Sequence, residues 1–117
     1  MASTDDCPFC RIVRGELPAT KVRETENLLA FRDLHPQAPT HVLVIPKEHH
    51  PDIASMAAAD GALAGEMINE AHAVAVADDV ADSGYRLVFN TGREGGQTVY
   101  HLHCHVLGGR GMSWPPG

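Results

Sequence analysis

Residues 99–107 read VYHLHCHVL. From Tyr100 on, polar and apolar side chains nearly alternate with period two, the pattern of a strand with one face on a core. His101, His103 and His105 then share one face, and Tyr100, Leu102, Cys104 and Val106 share the other. The apolar set is expected to pack inward, which turns three imidazoles toward a cleft or solvent. His101 and His105 lie about 13 Å apart along an extended backbone. Neighbouring rings can meet, but all three cannot easily close on one ion. Three histidines in strict alternation go beyond an ordinary polar strand face, and two chemical readings remain. In one, a His-x-His pair binds zinc with a carboxylate or third histidine nearby. In the other the rings act directly, one neutral imidazole attacking while its neighbour protonates the leaving group.

The segment before this strand is NTGREGGQT (90–98). Its glycines Gly92, Gly95 and Gly96 allow backbone N–H groups to approach an anion closely. Asn90 and Thr98 add side-chain donors. Alone such a loop is a turn; beside three histidines it reads as a phosphate cradle. YRLVF (85–89) in front of it is a strand, and GGRGMSWPPG (108–117) behind it is an extended tail.

Further upstream, THVLVIP (40–46) is a strand with an almost continuous apolar run closed by Pro46. KVRETENLLAFRD (21–33) reads as two strands joined at Glu26–Asn27. Asp33, at the end of the second, can accept hydrogen bonds from ribose hydroxyls, with Phe31 and Leu34 placed to flank a base. The plainer reading makes Asp33 a turn residue and the other two core. Asp60 is expected to cap a helix whose buried stripe is Leu63, Met67, Ile68, Ala71 and Val74, ending before Gly84. CPFC (7–10) starts a short helix with Pro8 in an early, tolerated position. Strands dominate, two stretches are helical, and the connections suit hairpins. The expected fold is α+β, one domain over residues 1–117, with an antiparallel sheet, helices on one face and a flexible segment 1–6.

Composition narrows the function. The 117 residues carry a formal charge of −6, which argues against a non-specific nucleic-acid or membrane binder. One anionic ligand remains compatible, because backbone dipoles can hold a phosphate. Three cysteines fit poorly with a disulfide framework, no apolar signal core opens the chain, and no stretch is long enough to span a bilayer. A reducing cytoplasm is the expected compartment. CPFC is then a metal half-site or a redox pair. Its candidate partners are His49, His50 and one of the three alternating histidines, which would close a tetrahedral structural site. Otherwise it is a pair of thiols at a helix start, with Cys10 packed inside.

With these residues in view, the chain resembles the histidine-triad superfamily, named for His-x-His-x-His followed by two apolar residues, here HLHCHVL. GGQTVYHLHCHVLGGRGMSWPPG looks like the Hint branch of nucleoside phosphoramidases. RIVRGELPA, AFRDLHPQAPTHVLVIPKEH and YRLVFNTG fit the same family in the same order, from about Cys7 to Gly117. The resemblance implies a five-stranded antiparallel sheet with two helices, joined across a homodimer. It implies a purine nucleotide ligand of AMP type and hydrolysis of AMP–amine conjugates through a nucleotidyl-histidine. His103 matches the nucleophile and His105 the residue assisting the leaving group. His101 and His41 match the supporting histidines. Asn90, Gly96, Thr98 and Val99 match the phosphate site, and Asp33 the ribose carboxylate. Phe9, Ile12, Phe31 and Leu34 match the base pocket, with Arg32 beside Asp33 bearing on base preference. CPFC resembles the zinc-binding bacterial members, whose ligands match Cys7, Cys10, His49 and His101. Other readings are a dinucleoside polyphosphate hydrolase of the same fold, a zinc-dependent hydrolase, or a nucleotide-binding protein with little turnover.

Overall fold

The computed structural model describes residues 4–117. Of the segment expected to be flexible, 1–3 lie outside the described residues, and Thr4–Asp6 form an exposed 3-10 turn. Five strands, β1 (Lys21–Glu24), β2 (Leu28–Arg32), β3 (Thr40–Pro46), β4 (Tyr85–Val88) and β5 (Cys104–Gly108), form one antiparallel sheet in the order β1-β2-β3-β5-β4. The hairpin expected across Glu26–Asn27 is present: Thr25 N–H donates to Leu28 C=O, and Thr25 Oγ1 accepts from Leu28 N–H.

Period two along β2 and β3 divides the core. Leu28, Ala30, Val42 and Val44 face one side with Cys104 and Val106, and are covered by Met56, Leu63, Met67 and Val74. Leu29, Phe31, Leu43 and Ile45 face the other and meet Phe9, Cys10 and Ile12. Both faces of β3 are therefore dry, which explains its continuous apolar run.

The helices correct two expectations. They cover both faces of the sheet: α1 (Pro8–Val13) packs on one side, and α2 (Ile53–Ala59) with α3 (Ala62–Ala77) on the other. There are three α-helices among the described residues, not two. The short α2 was missed because its AAA run carries no periodicity; Asp52 caps it by accepting from Ser55 N–H. Asp60 ends α2 instead of capping α3, whose N-cap is Gly61. Ile68 stands at the rim of the α3 stripe, 49% exposed, and Ala75 completes the buried set.

A third correction concerns the opening motif. The ladder of β5 begins at Cys104 and includes Gly108; the chain bends at 99–101, and 99–103 carry no ladder to a neighbouring strand. Alternation survives in direction nonetheless. Leu102, Cys104 and Val106 enter the α3 side of the core, while Tyr100 stays half exposed. Among the described residues no helix is long and apolar enough to cross a membrane.

Candidate functional site

The three histidines lie on the α1 side, each with a different backbone or side-chain partner. His103 donates Nδ1–H to the carbonyl of His101 at 2.8 Å. A carbonyl can only accept, so Nε2 of neutral His103 keeps its lone pair. Nothing among the described residues occupies that nitrogen. The ring packs edge-on against Phe9 at 5.2 Å and His105 at 4.9 Å between centroids.

His105 projects from β5 opposite Leu43, and its Nδ1 lies 2.9 Å from His41 Nε2. Gln37 N–H donates to His41 Nδ1 at 3.0 Å, so neutral His41 carries its proton on Nε2 and passes a hydrogen bond to His105 Nδ1. The proton of neutral His105 therefore sits on Nε2. Burial, then the neighbouring His103 and His41 rings, pull its pKa from 6.5 down to about 4. Burial also lowers His103 and His41, against smaller upward pulls that include the Asp33 carboxylate. All three rings are uncharged at neutral pH.

His101 is turned to another task. Its Nε2–H donates to Pro46 C=O at 2.8 Å, leaving Nδ1 bare. That nitrogen lies 3.4 Å from Cys7 Sγ, 3.5 Å from Cys10 Sγ and 3.1 Å from His49 Nδ1, and Cys10 Sγ is 3.3 Å from His49 Nδ1. A tetrahedral zinc with bonds of about 2.0–2.3 Å sets its ligand atoms roughly 3.3–3.8 Å apart. The four residues fit a closed structural zinc site, at the start of α1 where Cys7 is the N-cap. Burial, with help from the neighbouring Cys7, pushes the Cys10 thiol up to about 11. A metal ion would reverse that and hold the thiolate. His50, the other sequence candidate, is buried, its Nε2 without a hydrogen bond and 4.0 Å from Glu48 Oε2, and lies outside the cluster.

Asp33, His41 and His105 make a second group of close ligand atoms, Asp33 Oδ2 being 3.5 Å from His41 Nε2. A cation there would need a lone pair on His41 Nε2. With Gln37 N–H pointing at Nδ1, both nitrogens could be bare only in an imidazolate. The group is a hydrogen-bonded array, and the triad does not form a metal site of its own among the described residues.

Beside these rings lies a cavity of about 460 Å³. Its walls include Phe9, Ile12, Phe31, Asp33, Leu34, Thr98 and Val99, all singled out in the sequence. Phe9 and Phe31 meet edge to face at 5.5 Å. Asp33 is both turn residue and wall: Oδ1 accepts from His35 N–H at 2.8 Å, while Oδ2 faces His41. Thr98 and Val99 N–H have no partner among the described residues. Asn90 and Gly96 are not walls, and Gly96, at φ +82°, spends its N–H on Arg93 C=O. Arg32 lines the cavity, yet its guanidinium is engaged by both carboxylate oxygens of Asp78 on the α3 side. Leu43 and His35 also line it and were missed. Leu43 was findable, since it shares the face of His41 two residues on. The Gln37 amide had no sequence signal, because backbone N–H groups are everywhere.

Residues 14–112 match the HIT domain. An uncharacterised HIT-like protein of Synechococcus elongatus is 48% identical, the match covering 97% of this chain and 99% of that one. A 14 kDa zinc-binding protein of Zea mays is 47% identical over 97% and 91% of the two chains. Among solved structures, a HIT family hydrolase from Legionella pneumophila superposes with a TM-score of 0.92 at 52% identity, covering 96% of this chain and 100% of its own. A histidine triad nucleotide-binding protein from Candida albicans gives 0.81 at 29% identity, over 94% and 83%. A zinc-bound histidine triad family protein from Mycobacterium smegmatis gives 0.77 at 33% identity, over 92% and 78%. With its triad, its five-stranded sheet and these relatives, the chain belongs to the HIT family.

Proposed function

We propose that the protein is a purine nucleoside phosphoramidase that hydrolyses AMP–amine conjugates through a covalent intermediate on His103. The observation that carries this reading is the bare Nε2 of His103, fixed by the His101 carbonyl at the side of Phe9, which also walls the cavity. A largely apolar cavity edged by a carboxylate suits a purine and its ribose, with Asp33 accepting from ribose hydroxyls. The nucleotide-binding relative from Candida albicans and the hydrolase relative from Legionella pneumophila support the same class.

The steps follow from the tautomers. His103 Nε2 attacks the α-phosphorus as the P–N bond breaks, its electron pair leaving on the amine. Free N–H groups of Thr98 and Val99 stabilise charge on the phosphoryl oxygens. The nitrogen enters protonated from solvent, His105 Nε2–H bonds the electron pair it gains as the P–N bond breaks, and the amine leaves neutral. Water then attacks phosphorus, surrenders a proton, and breaks the P–Nε2 bond to free AMP and His103. Zinc held by Cys7, Cys10, His49 and His101 supplies rigidity, steadying the residue whose carbonyl sets the nucleophile. We assign the seam of the expected homodimer to β4, which with β1 is one of the two edge strands among the described residues.

Intact-mass measurement tests both parts. A His105→Asn variant incubated with adenosine 5′-phosphoramidate is expected to gain one adenylyl group on His103, and native mass to read two chains. Full hydrolysis by a His103→Ala variant would overturn the mechanism, and faster turnover of a dinucleoside polyphosphate would change the substrate class.

A further inference from the structure

Gln97 is buried, 6% exposed, in a loop otherwise open to solvent. Every polar group of its side chain is engaged. Oε1 accepts from Gly92 N–H at 3.0 Å, and Nε2 donates to Pro51 C=O at 2.7 Å and to Val99 C=O at 3.0 Å. Its own backbone N–H closes the turn onto Gly92 C=O at 3.0 Å. One amide therefore ties together the start of the loop, Val99 in the cavity wall, and a third segment 46 residues away.

That third segment matters. Pro51 directly follows His49 and His50. The carbonyl of His50 accepts from Leu102 N–H at 2.7 Å, between His101 and His103. Residues 49–51 thus grip the triad segment at Leu102 and the loop at Gln97, while His49 reaches the zinc cluster. Loop and triad segment have no strand ladder between them to fix their spacing.

We propose that Gln97 is a positioning residue that sets the Thr98 and Val99 amides at the phosphate, by locking the 92–97 turn to the His49–Pro51 segment. It rests on the nucleotide reading above. Gln97 touches no substrate, and its effect is on where the two free N–H groups stand. Glutamine is required chemically, because two donors and one acceptor must leave one buried planar group. Methionine matches the length and supplies none of them. Glutamate keeps an acceptor, and only its protonated form gains one donor.

The test compares ligands with and without phosphate, on the full zinc-loaded chain. Gln97→Met is expected to weaken AMP binding about tenfold or more, the cost of losing one or two buried hydrogen bonds. Adenosine binding stays within about twofold. Turnover of adenosine 5′-phosphoramidate falls mainly in kcat, about a hundredfold, as for a donor displaced by about an ångström. Amide exchange at Gly92 quickens in the variant whether or not a nucleotide is present. Gln97→Glu recovers AMP affinity relative to the parent chain as pH falls from 8 to 6, through protonation of the buried acid. Equal weakening of adenosine and AMP, or unchanged AMP binding with unchanged Gly92 exchange, would overturn the proposal. If the parent chain binds neither AMP nor adenosine, the nucleotide reading fails instead, and quickened Gly92 exchange still distinguishes a clamp from a bystander. Should Gln97→Met not fold, Gln97→Glu compared between pH 8 and pH 6 carries the test: weak AMP binding at pH 8 that recovers at pH 6, with adenosine binding steady, supports the clamp, and AMP binding equal to the parent chain's at both pH values overturns it.

Discussion

Gly108 ends β5 against the turn after α3. A Cβ built there would lie 2.8 Å from Val80 Cγ2 and 2.9 Å from Val80 Cβ, closer than real Cβ contacts allow. Val80 is itself buried, so neither partner can step aside freely. A Gly108→Ala variant is expected to lose about 1–3 kcal/mol, as overpacked core sites do, read as a lower urea midpoint with unchanged slope. No loss would mean the 78–84 turn yields. Four positions upstream the same strand buries Cys104, whose thiol burial pushes up to about 12. It belongs to the core, as its place between the histidines suggested, and such a thiol does not react at neutral pH.

At the scale of elements, α1 depends on the metal more than on its own six residues. A helix this short is marginal alone, and its N-cap is the sulfur of a ligand, Cys7, accepting from Cys10 N–H at 3.4 Å. Stripping zinc with a chelator under reducing conditions is expected to lower the melting temperature by at least about 5 °C, given the usual linkage between tight binding and stability. A Cys10→Ser variant starts at the lower value and does not respond. Metal content of one zinc per parent chain checks the premise, and a chelator-insensitive parent would remove zinc from the account. The pairing of CPFC with His49 was one of several options open to spacing alone, since the ligand atoms come from α1, the loop after β3 and the segment before β5. Strands β1 to β4 were legible within a residue, because turn residues bound them and apolar runs mark β2 and β3; β1 and β4 are half-buried or exposed throughout. α2 was not, having a uniform run of alanines. The end of the β5 ladder was not either, because side-chain alternation reports direction and says nothing about whether backbone groups are paired.

For the whole molecule, a cluster of buried neutral histidines makes stability depend on pH. His105 has a folded pKa of about 4 against 6.5 unfolded. Between these values the unfolded chain holds a proton that the folded chain refuses. Its contribution to stability is complete above pH 6.5 and is lost as pH falls toward about 4. The urea midpoint should drop between pH 7.5 and 4.5, and drop less in His105→Asn. Equal losses in both proteins would place the titrating group elsewhere. On the proposed mechanism, activity follows the same sign: the pH profile of adenosine 5′-phosphoramidate turnover is expected to show its His105 acid limb well below the usual imidazole range.

A sheet ladder commits the carbonyls it runs through. β5 starts at Cys104, and two oxygens near that end, those of Pro46 and His101, accept from imidazole rings. One sets the lone pair that faces the cysteine–histidine cluster, and the other the lone pair proposed to attack. The gap in regular structure is therefore where the protein keeps its chemical information. Engineering that made 99–103 a better strand would gain pairing and lose the two protonation patterns written into those oxygens, so a sturdier sheet here would come at the expense of the proposed chemistry.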